Sequence, residues 1–192
     1  MIELLVVVAV LAILVALAAP SLEETIIRNR LDSATHEFVT ALNLARSEAM
    51  RRGGRVVIRR DGASEPREWT KGWEVFADLP DAAGQFNHMR DPGEELIRIG
   101  PAIVSPLTLH SDRSTRDFVA FEASGVATDF KPYTFVVCHG GQLTSNGRPR
   151  SRAVMIWGPS GRIRSSAPDE SGTLRKDTSD GGTAAITSCT SP

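Results

Sequence analysis

Cysteine is scarce. The 192 residues hold two, Cys138 and Cys189, about fifty residues apart, with no further Cys or paired His nearby to complete a metal site. An excess of either charge is missing too: 22 Lys and Arg face 23 Asp and Glu, a formal net charge of -1. That removes any whole-chain case for a nucleic-acid binder and leaves only local clusters of charge to consider. No Lys or Arg precedes Arg28, so the start does not read as a cleaved secretory signal, which carries a basic opening, a shorter apolar run and a small-residue cleavage site. Catalytic motifs are also lacking. There is no GxSxG or HExxH, His36, His88, His110 and His139 are scattered, and the side chains of the neighbours Cys138 and His139 leave a strand on opposite faces. The acidic neighbours Glu23-Glu24 and Glu94-Glu95 read as solvated helix or turn positions and not as an acid/base pair. An enzyme, a bound metal and a cofactor are therefore not expected, and no internal repeat is found.

What is present begins with a long apolar run. From Leu4 to Ala19 no polar side chain occurs, and with Met1 and Ile2 the segment approaches the roughly 20 residues needed to span a bilayer core. It reads as a membrane helix retained in the mature protein. Glu3 stands at its lip, where a carboxylate either snorkels to the interface or finds a cationic partner on a neighbouring subunit, as an assembly determinant. Pro20 removes a backbone donor and is expected to kink or locally melt the helix there. Helical periodicity then resumes: Ile27, Leu31, Ala34, Phe38, Leu42, Ala45 and Ala49 fall on one stripe, charged residues fill the other faces, and Gly53-Gly54 stop the helix. A helix of about fifty residues makes a rod of roughly 75 Å.

With 41% hydrophobic and 23% charged residues the chain suits one globular domain plus an appendage. After Gly54 short runs rich in Val, Ile, Phe and Trp alternate with turn residues, which predicts antiparallel strands near 55–60, 73–78, 95–99, 107–110, 118–122, 134–138, 153–158 and 161–165. Their apolar faces are expected to pack on the helical stripe in a single core between helix and sheet, an α+β fold. A polar loop fills residues 79–92. From Ser166 the composition turns to Ser, Gly, Thr and Asp, predicting an irregular tail. The expected division is a transmembrane and assembly helix over 1–22, an amphipathic helix over 23–54, a β-rich periplasmic head over 55–165 and a polar tail over 166–192. A Cys138–Cys189 disulfide, as against two unpaired thiols, tethers that tail, implies an oxidising compartment and contributes roughly 4 kcal/mol.

The run IELLVVVAVLAILVALAAPSL, the helix piece LNLARSEAMRRG, the strand VVIRR, the segment KGWEVFAD and the stretch RAVMIWGPSGRIR together resemble the GspH/FimT family of type IV pilin-like proteins over about residues 1 to 165. The resemblance implies a type IV pilin-like fold and a minor pilin or minor pseudopilin, anchored in the inner membrane by one span with its head in the periplasm and assembled with other pilin subunits. It implies that Glu3 pairs with the N-terminal amine of an adjacent subunit and that Pro20 is the helix-breaking pilin proline. The usual leader ending in Gly, followed by Phe-Thr-Leu, is not part of the sequence, and Met1 stands in the place of that Leu. Cleavage and N-methylation by a prepilin peptidase are expected only where such a leader precedes it.

Arginines concentrate near the end. Arg148, Arg150, Arg152, Arg162 and Arg164 occur between Asn146 and Arg164 without an intervening acid. In Gly161-Arg162-Ile163-Arg164 the two arginines sit two apart, so in an extended segment both project to one face while Ile163 points to the core. Two guanidinium forks side by side suit the phosphate backbone of DNA, and Gly161 permits a sharp turn and close approach of a ligand. The GRxR motif resembles that of FimT-like minor pilins implicated in DNA uptake during natural transformation, which makes Arg162 and Arg164 candidate DNA contacts. Arg148, Arg150 and Arg152 join them on charge alone. Binding is expected to ignore base sequence, since no groove-reading helix or aromatic stacking platform is evident. Two alternatives stand beside this reading: a solvated strand edge whose arginines pair with Asp169, Glu170 or Asp177, and a purely structural GspH-like pseudopilin of a type II secretion fibre.

Overall fold

The structure, a computed structural model, describes residues 2–62, 67–112, 117–128, 132–157, 160–178 and 181–192, and of residues 15–20 the backbone only. Met1, the strand end expected at Gly158 and the tail acid Asp180 lie outside these residues.

Helix α1 spans Ile2–Arg52. It runs through Pro20 without a break, so the local melting expected there is not found; one lost i→i−4 hydrogen bond is bridged by its neighbours. The helix ends where Gly53 turns to φ 64° and the Gly54 amide donates to the Ala49 carbonyl at 3.2 Å. Behind it the stripe read from the sequence is the core face: Leu31, Phe38, Leu42, Ala45 and Ala49 are completely buried, Ile27 nearly so, and Ala34 packs at the margin.

The strands are β1 (Val56–Arg60), β2 (Trp73–Ala77), β3 (Leu96–Gly100), β4 (Leu107–Ser111), β5 (Phe118–Phe121), β6 (Tyr133–His139), β7 (Thr144–Ser145), β8 (Arg148–Pro149), β9 (Ser151–Trp157), β10 (Arg162–Ser166), β11 (Arg175–Asp177) and β12 (Thr183–Ala185). Two four-stranded antiparallel sheets pack on the helix, in the orders β3-β2-β1-β5 and β10-β9-β6-β4. The sequence suggested one sheet face; the task is divided because β5 returns to pair with β1 while β4 pairs with β6. Inner-face residues of both sheets, among them Val56, Ile58, Phe135, Val137, Val154 and Ile156, join the helix in one core. Phe38 is its pin, meeting Trp69, Trp73 and Phe135 edge-on at centroid distances of 5.7, 5.0 and 4.8 Å.

The tail departs from expectation. Residues beyond Ser166 form the β11–β12 hairpin, and Leu174, Ile186 and Cys189 are buried on the outer face of the second sheet against Val136, Cys138 and Ala153. A disulfide joins Cys138 to Cys189, with Cα atoms 6.1 Å apart. Two well-placed apolar side chains and one covalent tie hold a segment whose composition alone suggests none of this.

Candidate functional site

Two regions carry the candidate functional residues. The first is the start of α1. Ile2, Leu4, Leu5, Val6, Val7, Val8, Val10, Leu11, Ile13 and Leu14 are all exposed, at 49% or more. No described residue of the head covers them, because the core begins only at Ile27. Glu3 is exposed in the first turn of this segment. Among the described residues no helix is long and apolar enough to cross a membrane.

The second region is the arginine-bearing edge, and the structure separates the five arginines into two groups. Arg148 and Arg150 approach the Glu24 carboxylate of α1 at 3.7 and 3.1 Å, and Arg152 donates to Asp32 at 2.7 Å. These three lie at alternate positions and fasten the start of β9 and the segment before it to the helix. Arg150, Arg152 and Glu24 are largely shielded, with side-chain exposures of 16%, 12% and 11%. Their chemistry is that of docking α1 on the head, and they are not gathered with the other two.

Arg162 and Arg164 sit on β10, an edge strand, opposite Trp157 and Met155 of β9. Both are exposed on the outer face while Ile163 packs on the core, as alternation in a strand requires. Arg164 donates to Asp177 of β11, whose side chain is only 9% exposed. Arg162 makes no ion pair among the described residues. A cavity of about 260 Å³ opens here, lined by Trp157, Ser160, Arg162, Arg164, Asp177 and Gly181. Trp157 was missed in the sequence reading; its signal was the short turn after MIW, which sets the tryptophan opposite the first arginine of the hairpin partner.

Gly161 makes the sharp turn expected of it, and its missing side chain also admits the chain's own backbone. It is buried with φ +61°, and a Cβ there would lie 2.0 Å from the Gly125 carbonyl oxygen. The close approach seen here is that of the chain's own backbone. Arg46 of α1 locks the junction: its Nε donates to the Gly125 carbonyl at 2.9 Å and its Nη2 to the Ser160 carbonyl at 3.0 Å. The LARSEA and GRIR pieces of the sequence thus meet in space, the arginine of one fixing the turn that opens the other.

Burial also perturbs one acid away from these regions. Asp78 follows β2, and burial, aided by the charge of Glu94 and opposed by Arg55, pushes its carboxyl up to about 6. Among the described residues, no group of three or more His, Cys, Asp or Glu side chains is placed to hold a metal ion.

The family model of the Type II transport protein GspH matches residues 34–161. The chain belongs to the GspH family. The match starts beyond Glu3, Pro20, Ile27 and Leu31 and stops one residue before Arg162, so it covers the helix stripe from Ala34 onward and the strands from β1 to β9, and leaves out β10 and the C-terminal hairpin. No curated protein matches the chain. Among solved structures, two crystal forms of the type IV minor pilin FimU of Pseudomonas aeruginosa are similar, with TM-scores of 0.57 and 0.53 at 24% identity. They cover 84% and 83% of this chain and 96% and 99% of their own. The minor pseudopilin EpsH from the Type 2 Secretion System of Vibrio cholerae is more distant, with a TM-score of 0.46 at 16% identity over 72% of this chain and 98% of its own. The fold of this GspH-family chain, a long helix packed on antiparallel sheets, is that of a minor pilin.

Proposed function

We propose that this chain is a minor subunit of a pilin-like fibre, held in the inner membrane by the first segment of α1 before assembly and by other subunits' helices afterwards. The observation that carries the reading is the row of exposed apolar side chains from Ile2 to Leu14, which the head leaves bare. Such a row is stable only under lipid or under other apolar helices. Family membership supports the second cover as well as the first. Glu3 then sits where a carboxylate among apolar helices needs a cation, and the N-terminal amine of a neighbouring subunit supplies one. Where a leader precedes the sequence, a prepilin peptidase releases that amine. The test is Glu3→Ala in cells that make the fibre. The variant is expected to remain in the membrane and to fall severalfold in sheared fibres; undiminished incorporation would remove the assembly role of Glu3.

A second reading adds DNA capture for uptake, and the observation favouring it is Arg162, exposed and without an ion pair among the described residues, beside Arg164. The contact surface is then Arg162 and Arg164 alone, since Arg148, Arg150 and Arg152 are engaged with α1. Sequence-independent binding that falls steeply with salt, and is lost in Arg162→Ala/Arg164→Ala, supports it. No binding at low salt leaves the structural pseudopilin of a type II secretion fibre.

A further inference from the structure

The C-terminal hairpin meets the arginine face at one side chain. Asp177 accepts a hydrogen bond from Arg164, with its own side chain only 9% exposed. It is not a floating acid. It is held opposite Thr183 in the β11–β12 pair, and the hairpin is seated by Leu174, Ile186 and the Cys138–Cys189 bridge on the outer face of the second sheet. Asp177 also lines the cavity beside Trp157, Arg162 and Arg164. Its carboxylate therefore occupies ground that a phosphate reaching Arg164 has to share or take.

We infer that Asp177 is a built-in competitor for the arginine pair, so that the C-terminal hairpin sets the affinity of this face for phosphodiester chains. The inference rests on the DNA reading above and names the residue that regulates it. A phosphate binding at Arg164 exchanges with an anion tethered at high local concentration, whereas one at Arg162 displaces no paired acid among the described residues. Arg162 is then the first contact, and Arg164 adds to affinity only as Asp177 gives way.

Removing the hairpin would bare Val136, Cys138 and Ala153 and confound the result, so the variant of choice is the near-isosteric Asp177→Asn. Glu170→Gln, an equal change of net charge at an exposed acid in the same tail, is the control. The full chain in detergent micelles is titrated with a mixed-sequence duplex across a salt series, with circular dichroism confirming an unchanged fold. Asp177→Asn is expected to bind about three- to tenfold tighter than wild type and to steepen the salt dependence by up to about one counterion, because Arg164 becomes a full phosphate contact. Glu170→Gln is expected to shift affinity much less, and adding Arg162→Ala/Arg164→Ala to Asp177→Asn should erase the gain. Binding by wild type with equal gains from Asp177→Asn and Glu170→Gln overturns the inference and leaves the DNA reading standing. No binding by wild type or Asp177→Asn at low salt overturns both.

Discussion

Replacing Gly161 with Ala separates a structural glycine from a ligand-facing one. The added methyl would stand 2.0 Å from the Gly125 carbonyl oxygen and 3.3 Å from Arg46 Nε, in a backbone at φ +61°. Gly140 is a matched control, because it shares φ +61° and has nothing within 4 Å of an added Cβ. Both substitutions carry the left-handed backbone cost of about 1–2 kcal/mol. Only Gly161→Ala must also push two backbones apart by roughly 1 Å in a packed junction, an overpacking cost of about 1–3 kcal/mol. It further disturbs the Arg46 hydrogen bond to Gly125, now 2.9 Å. The expected excess over Gly140→Ala is about 2 kcal/mol, or about 1 M in urea midpoint at a typical m-value. Equal midpoints would refute the close approach as the reason for glycine here. Loss of DNA binding with unchanged stability would restore the ligand-facing role.

Asp78 gives a pH dependence of defined sign. Its carboxyl is raised from 3.8 to about 6 in the folded state, so the folded chain holds the proton more tightly and stability falls as pH rises from about 4 to about 6. Asp78→Asn should therefore stabilise at pH 7.5 by up to roughly 3 kcal/mol and do nothing near pH 3, a difference read from denaturation midpoints at the two values. Reducing the disulfide should cost about 2–4 kcal/mol and release the tail to proteolysis near residues 167–173, while the core around Phe38 stays protected in hydrogen exchange. Glu24→Gln, which uncouples α1 from Arg148 and Arg150, should lower thermal stability by about 1–3 kcal/mol and leave DNA affinity unchanged; a gain of affinity instead would return the freed arginines to the contact surface.

The fold was legible where periodicity carries it. The stripe from Ile27 to Ala49 and eight strand positions follow from spacings of three to four and of two, because a core face imposes those periods on whatever lies against it. The division into two sheets was not legible, since pairing β5 with β1 and β4 with β6 depends on contacts remote in sequence. The tail was misread for a related reason: composition counts apolar residues, whereas Leu174 and Ile186 matter by where they land on Val136 and Ala153. At the arginine edge, the common outward face of Arg162 and Arg164 follows from alternation alone. Glu24 and Asp32 lie 120 or more residues from the arginines they meet and were not legible, whereas Asp177, 13 residues beyond Arg164, was among the pairing alternatives the sequence offered. A local count of charge shows five arginines without an intervening acid, where among the described residues the fold leaves only Arg162 of the five without an ion pair.

The most direct test of the fibre reading is a photo-crosslinking amino acid at Leu11, which is 54% exposed on the bare apolar segment, in cells producing the fibre. Adducts with another pilin-like subunit, recovered from sheared fibres, are the expected result; a chain that yields no such adduct and stays wholly in the membrane fraction would contradict it.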